Sequence, residues 1–575
     1  MINFYDFEVF KYDWLVVLIE PYRETTTVIV NNKQQLESYY NKHKNDIWVG
    51  YNSRHYDVYI LQAILCGFDP FDVTDFIIRQ KRGGWEYSTL FRNYPLNNYD
   101  VAKLTDGGLK TLESYMCNDI CETSVPFDID RKLTPAEISE TVKYCTHDVE
   151  QTIDVFVRRK SDFDAHMSLI TTFSLNLSDI SKTQAQLSAL ILGCERPAFD
   201  RGDEWDIQIV PTLKLNKYAF VQDWFLSNKD YSKSLTVDIC GVPHVFGWGG
   251  LHGAREKYHG KGLLLHVDVN SYYPSLMIEY DLLTRNCKNP NRYKEIYEKR
   301  LSLKRAGKKA EQAPYKIILN ATFGITKDVR STAYDPRQAN NICINGQLLL
   351  LDLIEKLEGH CELIQSNTDG LIVKIPDTQA AFDKIDDICH EWEVRTRMGL
   401  GFDIISEIYQ GDVNNYIFQF ADIPENGKNR GKYERKGAYV QELNPLKNDL
   451  AIVNTAIVNY LAKKIPVETT VNSCTDYGAF QKVVKISNKY LCGWHNGRRL
   501  NDKTFRVFAS KNPRDGFIGK QKSAGATVEK FANTPACCYI ENGDINGVEI
   551  PDKLDRQYYI DMAKKRLFEK FNVRS

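Results

Sequence analysis

The sequence predicts a multidomain fold, α/β at the N-terminus and α+β beyond it. Three observations carry that expectation. At 575 residues the chain is too long for one ordinary core, and roughly 150 residues per domain gives three to four domains. Strand-like and helix-like runs alternate over the first 160 or so residues, the pattern of an α/β domain. Farther on, a strong apolar strand and a hairpin flank three helical stretches, an α+β signature. Hydrophobic content of 43% and charged content of 26% describe a globular protein and exclude disordered and collagen-like classes. Lys and Arg number 74 against 75 Asp and Glu. That balance argues against a chain wholly given to coating nucleic acid, which would be basic.

Each element has a local reason. Ile2 to Phe7, Trp14 to Glu20 and Thr25 to Val30 are rich in β-branched and aromatic residues and read as strands. A helix follows at Lys33 to His43, a short strand at Ile47 to Asn52, a helix at Asp57 to Cys66 and a strand at Tyr99 to Leu104. Thr134, Pro135 and Glu137 make a capping box with proline at the first helical position, opening a helix to Arg159. Helical patterning returns around Ser178 to Leu192. Gly262 to Val269 reads as a strand, Tyr293 to Lys309 and Ala313 to Phe323 as helices, and Arg337 to Leu357 as a long apolar helix. Cys361 to Ser366 and Leu371 to Ile375 flank an Asp-Gly turn, which predicts a hairpin with Asp369 at its tip. No run of about 18 apolar residues is present, so no membrane span is expected. The N-terminus lacks a basic signal region. The 14 cysteines form no C-x-x-C pair, so a zinc site is not expected and reduced thiols in a cytoplasmic setting are.

Carboxylates recur on three elements of the first domain. Asp6 and Glu8, two apart on a strand, share a face. Asp57 stands at a strand-to-helix junction after Asn52. Tyr144 and Asp148, four apart on a helix, share another face. Asp-x-Glu alone is ordinarily a solvated strand pair; the three together, in order, carry the signal. Four such carboxylates suit two Mg²⁺ ions about 4 Å apart, the apparatus of in-line phosphodiester hydrolysis. The three segments resemble the Exo I, Exo II and Exo III motifs of 3′–5′ proofreading exonucleases, which implies an RNase H-like exonuclease fold. Tyr144 is then expected to orient the attacking water, and Asn52 to contact a single-stranded end.

A second set lies downstream. Asp268-Val269-Asn270-Ser271-Tyr272-Tyr273-Pro274 resembles motif A of family B DNA polymerases. Lys316 to Gly324 resembles motif B, with Ala321 and Phe323 departing from the usual Ser and Tyr. Ser366 to Gly370 resembles motif C, with Asn367 where the family has Asp and Gly370 where it has Ser. The resemblance covers residues 1 to about 440. It implies a right-hand palm, fingers and thumb after the exonuclease, with Asp268 and Asp369 as ligands of two Mg²⁺ ions and Mn²⁺ as a substitute. It also implies a triphosphate clamp from Lys316, Asn320, Arg300 and Lys304. Tyr273 would sit under the deoxyribose and exclude a 2′-hydroxyl, and Phe323 would meet the nascent base pair. Residues 293–316 hold eight Lys or Arg against three Glu, which suits the clamp.

The implied domains are 1–190 (exonuclease), 191–280 (palm, first part, with linker), 281–330 (fingers hairpin), 331–445 (palm, second part) and 446–575 (thumb). Only 48 positions separate Asp268 from Lys316, and 45 separate Gly324 from Asp369. Neither interval has room for the insertions of protein-primed phage polymerases. An ordinary nucleic-acid primer is therefore expected, with protein priming the alternative. Lys436 and Gly437 are expected on the surface tracking DNA, and Tyr416 beside them. Residues 481–530 carry 12 Lys or Arg against three acids, interleaved with aromatics, as duplex tracking requires. Primer–template DNA and dNTPs are the expected partners, with phage replication proteins beyond them in a bacterial host cytoplasm. An exonuclease with an inactive polymerase half and a non-catalytic DNA-binding protein are the competing readings.

Overall fold

Strand-forming sequence at the N-terminus pairs as its pattern predicts. The computed structural model describes residues 1–422 and 431–574. It divides into two compact units, each assembled from separate stretches of chain. The first contains Met1–Thr183, Leu443–Ala451 and Cys474–Tyr558; the second contains Gln184–Glu442, Ile452–Ser473 and Tyr559–Ser575. Residues 446–575, read from the sequence as one region, are thus divided between the two.

In the first unit, β1 (Ile2–Val9), β2 (Trp14–Glu20), β3 (Thr25–Val30), β4 (Ile47–Gly50) and β5 (Asn97–Asp100) form one sheet in the order β3-β2-β1-β4-β5. β1 is antiparallel to β2 and parallel to β4. Tyr5, Phe7 and Val9 point into a core with Trp48, Ile60, Leu61 and Ile64. The alternate residues Phe4, Asp6 and Glu8 take the other face. There the helix Pro135–Arg158 packs, and Phe4 meets Phe156 edge-on at 5.2 Å. Its capping box forms as expected: Glu137 N donates to Thr134 Oγ1 at 3.3 Å, and Thr134 N donates to Glu137 Oε2 at 2.8 Å. The expected strand at Tyr99 to Leu104 lies instead at Asn97–Asp100. The expected helix at Ser178 to Leu192 divides into a short turn, Leu177–Ser181, and the helix Gln184–Ile191.

The same unit takes in a β-rich C-terminal segment. Strands β15 (Lys482–Lys485), β18 (Thr504–Ala509) and β21 (Cys538–Ile540) form one small sheet; β16 (Cys492–His495), β17 (Arg498–Leu500), β19 (Ile518–Gln521) and β20 (Glu529–Lys530) form another. Arg506 on β18 is fully buried. Its guanidinium donates to the carbonyls of Asn118 and Gly543, both at 2.7 Å, and of Ser114 at 3.3 Å.

The second unit is built on a nine-stranded antiparallel sheet. Its strands are β6 (Leu235–Ile239), β7 (Val242–Phe246), β8 (His252–Ala254), β9 (Tyr258–Val269), β10 (Glu362–Asn367), β11 (Gly370–Ile375), β12 (Leu400–Asp412), β13 (Asn415–Phe420) and β14 (Tyr433–Lys436). The order is β14-β13-β12-β9-β11-β10-β8-β7-β6, so β9 is interior, between β12 and β11. The long apolar helix Pro336–Leu357 is buried almost all round, as its composition requires. Its buried Asn341 and Asn345, one turn apart, take the place of a strand edge. They accept from the Gln208 and Val210 amides at 2.6 and 2.9 Å and donate to the Asp206 and Gln208 carbonyls at 3.1 and 2.8 Å. The helices Pro290–Arg305 and Lys309–Lys327 form the expected hairpin, turning at Gly307. The second begins four residues earlier than predicted and keeps Pro314 inside its first turns.

Candidate active sites

The first carboxylate cluster assembles on the face of β1 that meets the helix Pro135–Arg158. β4 ends at Gly50, so the Phe7 amide has no strand partner on that side. Asp57, at the head of its helix, accepts it at 3.1 Å. That bond fixes Asp57 beside Asp6 and Glu8. Glu8, Asp57 and Asp148 are buried; Asp6 keeps partial exposure. Burial and then the charge of nearby Asp148 raise the Tyr144 phenol well above its usual value. Asn52 stands exposed at the junction in a left-handed conformation, its amide donating to Asp100 Oδ1 at 2.9 Å.

Burial raises Asp6 and Glu8 well above the usual carboxylate range, and the neighbouring acids push them further. Burial likewise carries Asp57 to about 7 and raises Asp148. Oxygen donors crowded beyond what their own solvation supports fit a hard divalent cation such as Mg²⁺ or Mn²⁺. Asp6, Glu8, Asp57 and Asp148 would hold it. Cys145 Sγ also lies within 4.8 Å of oxygens of Asp6 and Glu8. Burial raises that thiol well above its usual value, and it stays protonated and inert.

Three further side chains complete this cluster. Lys110, on the helix Leu109–Tyr115, forms ion pairs with Asp148 and, at 3.1 Å, with Glu113. Its ammonium also lies 4.6 Å from the centre of the Tyr144 ring. Burial works to lower Lys110, but the two carboxylates together outweigh it and the net shift is upward. His147, raised chiefly by the Glu113 carboxylate 3.7 Å away, lies beside them. A lysine and a glutamate three apart on one short helix carry no sequence signal; only the fold brings them to Asp148.

The second cluster lies at the end of β9. Asp268 is registered opposite Gly370 on β11 and opposite Gly401 on β12. Both flanking positions on its face therefore lack side chains. A Cβ at Gly370 would come within 3.2 Å of the Asp268 Cβ, and one at Gly401 within 3.4 Å of Asp268 Oδ1. Asp369 is in the hairpin turn, its carbonyl accepting from the Val269 amide at 2.8 Å. The turn is shifted by one residue from an Asp-Gly turn: Asn367 pairs with Gly370, leaving Thr368 and Asp369 between the strands. The Asp369 amide donates to the Asn367 carbonyl at 2.7 Å, closing a γ-turn at Thr368, whose φ is +62°. A β-branched residue there is strained, and the bond from its amide to the Leu251 carbonyl, at 2.8 Å, holds it.

Burial raises Asp268 and Asp369, and for Asp369 the charge of Asp268 is the next influence. Two buried carboxylates, the second raised further by the first, with glycine on either side of Asp268, fit a divalent cation on the same argument as above. Lys304 is close enough to Asp268, and Lys436 to Asp369, to oppose those shifts. Arg300 donates to Ser271 Oγ at 2.9 Å. The Tyr273 and Phe323 rings meet at 4.6 Å between centres. Lys316 and Asn320 are exposed on their helix. Gly437 adopts φ +103°, where a Cβ would come within 2.0 Å of the Asn414 carbonyl oxygen, so only glycine fits.

One expectation, Tyr416, meets a different environment, and one departure from motif C, Asn367, has a structural role. Tyr416 is buried, stacked on Phe418 in the core of the sheet with ring centres 5.9 Å apart, and its ring has no face for DNA. Asn367 is committed to the scaffold: its Nδ2 donates to the Val413 carbonyl at 3.1 Å, and its Oδ1 accepts from the Thr368 hydroxyl at 3.4 Å. The sequence missed His266 and Asp403, each of which brings a ligand atom within 4.8 Å of Asp268 and of the other. The period-two position of His266 on the Asp268 strand was a usable signal. Asp403 is joined to them only by strand pairing.

No protein-family profile matches the chain, and no curated protein matches it. Among solved structures, a family B DNA polymerase from the hyperthermophilic archaeon Pyrobaculum calidifontis is similar at 14% identity and a TM-score of 0.41, over all of this chain and 78% of that one. A likeness of that degree carries no argument for fold or function. No helix among the described residues is long and apolar enough to cross a membrane.

Proposed function

We propose that the chain is a template-directed DNA polymerase with a 3′–5′ proofreading exonuclease. The observation that carries the reading is the register of β9 and β11, which brings Asp268 and Asp369 to one strand end between glycines. Two Mg²⁺ ions, or Mn²⁺ in their place, would supply the Lewis acidity for an attacking 3′-oxygen and a leaving pyrophosphate. Asp268 and Asp369 hold them. Lys304, Arg300, Lys316 and Asn320 receive the triphosphate from the helical hairpin. Tyr273, packed on Phe323, excludes a 2′-hydroxyl and selects deoxynucleotides. In the exonuclease, Asp6, Glu8, Asp57 and Asp148 hold the metals, Tyr144 orients water, and Asn52 meets the frayed primer end. Lys436, above a turn that only glycine at 437 allows, contacts the duplex. Phage genome replication from an ordinary nucleic-acid primer is the role these intervals between the motifs suit.

A second reading, an exonuclease whose polymerase half is silent, is favoured by the neutral Asn367 and its commitment to the scaffold. One assay separates them. A 5′-labelled primer–template with Mg²⁺ is extended when dNTPs are present and shortened when they are absent. Shortening under both conditions would leave only the exonuclease. Asp369→Ala abolishes extension and spares degradation; Asp6→Ala does the reverse.

A further inference from the structure

We propose that Asp403, with His266 beside it, supplies the polymerase site with the acid that Asn367 does not. The inference rests on the reading of Asp268 and Asp369 as metal ligands and adds two ligands from outside the motifs. The starting point is Asn367. Its amide nitrogen and oxygen are both engaged, with Val413 and Thr368, so its side chain serves the hairpin. A site with Asp268 and Asp369 alone would bring two negative charges to two divalent cations.

The β9–β12 pairing brings a third. His266 and Asp268 alternate along β9 and so share a face. Asp403 is the cross-strand partner of His266 and lies on that same face. One ligand atom from each of the three falls within 4.8 Å of the other two. The room for the imidazole comes from Gly370: a Cβ there would stand 3.3 Å from His266 Nε2. The two departures from motif C are therefore linked to the new group. Glycine for serine admits the histidine, and asparagine for aspartate is offset by Asp403. His266 Nδ1 is buried with no hydrogen-bond partner, so that nitrogen gains nothing from the protein itself. Asp403 is exposed, as a ligand reached from solvent must be. A mixed set of carboxylate oxygens and an imidazole nitrogen suits Mn²⁺ better than a purely oxygen-coordinated Mg²⁺.

The test reads metal binding directly, by electron paramagnetic resonance of Mn²⁺ on the full chain. The Asp6→Ala, Asp148→Ala variant serves as parent, so that the exonuclease cluster does not contribute. Asp403→Asn is expected to weaken Mn²⁺ at the polymerase site by at least roughly 10- to 100-fold, the loss that removing even a group behind a ligand produces. Asn367→Asp in the Asp403→Asn background is expected to restore much of that loss. His266→Ala is expected to weaken Mn²⁺ more than it weakens Mg²⁺ measured by competition. If Asp268→Asn loses Mn²⁺ while Asp403→Asn binds it as the parent does, Asp403 is a surface partner of His266 and the inference fails. If Asp268→Asn also leaves Mn²⁺ binding unchanged, the metal site of the proposed polymerase fails with it.

Discussion

Lys110 links three functional side chains of the first cluster at once. It pairs with Asp148 and Glu113 and lies against the Tyr144 ring. Lys110→Met is expected to lower the exonuclease rate by about 10- to 100-fold, as loss of a ligand-orienting group does. Primer extension by the same variant stays unchanged. Single-turnover degradation and extension assays read the two separately. The acids of the cluster also set a pH dependence. Asp57 moves from an ordinary 3.8 to about 7 in the folded chain, so the folded state holds its proton more tightly than the unfolded one. That contribution to stability is full below about 3.8 and is lost as the pH rises through about 7. A divalent cation competes with those protons, so its stabilising effect grows over the same window. Hydrogen exchange of the β1 amides is expected to show Mg²⁺ adding more protection at pH 8 than at pH 5.5. Equal protection at the two values would contradict the assignment.

At the scale of elements, the helix Pro135–Arg158 and the β10–β11 hairpin set where the reactive groups stand. The Thr134–Glu137 capping box fixes where the helix starts and hence the phase that turns Tyr144 and Asp148 toward β1. Thr134→Ala is expected to weaken the N-terminal turn by about 0.5–2 kcal/mol. Amide exchange should quicken at Glu137 and leave the amides near Asp148 unaffected. The hairpin is held by a different device. Thr368 accepts a left-handed φ because the Leu251 carbonyl binds its amide. Outside the hairpin, just after β14, Gly437 adopts a conformation that a side chain would forbid. Gly437→Ala combines that backbone with a 2.0 Å contact to the Asn414 oxygen. It is expected to cost at least about 1–3 kcal/mol, measured as a lowered melting temperature of the second unit. These local features were legible to different degrees. The capping box was read correctly because its signal lies within four residues. The turn at Asp369 was read one residue out of register, because the bond that decides it comes from Leu251, more than a hundred positions away.

At the scale of the molecule, the first compact unit is discontinuous in sequence. Residues 474–558 share it with residues 1–183, and buried Arg506 joins the carbonyls of Ser114 and Asn118 to those of the C-terminal segment. Each carbonyl left without its donor would cost on the order of 1–3 kcal/mol. Residues 1–183 produced alone are therefore expected to melt lower than the same residues in the full chain and to be cut sooner by protease near Ser114 to Asn118. Arg506→Met in the full chain should increase cleavage in both 114–118 and 482–540 together. Cleavage confined to one stretch would argue that the two fold independently.

The sequence by itself determined the elements and the paired carboxylates. Period-two spacing put Asp6 and Glu8 on one face, helical spacing put Tyr144 with Asp148, and apolar runs marked β9, β10 and β11. These are local regularities, set by backbone geometry within a few residues. Only the tertiary structure decided that Lys110 and Glu113 belong with Asp148, that Tyr416 is core, and that Asp403 and His266 stand beside Asp268. It also decided that the basic C-terminal strands share a unit with the first domain. Each of those depends on the pairing of segments distant in sequence. Such pairing is fixed by the burial of whole faces and the satisfaction of backbone hydrogen bonds, and no window of neighbouring residues contains it.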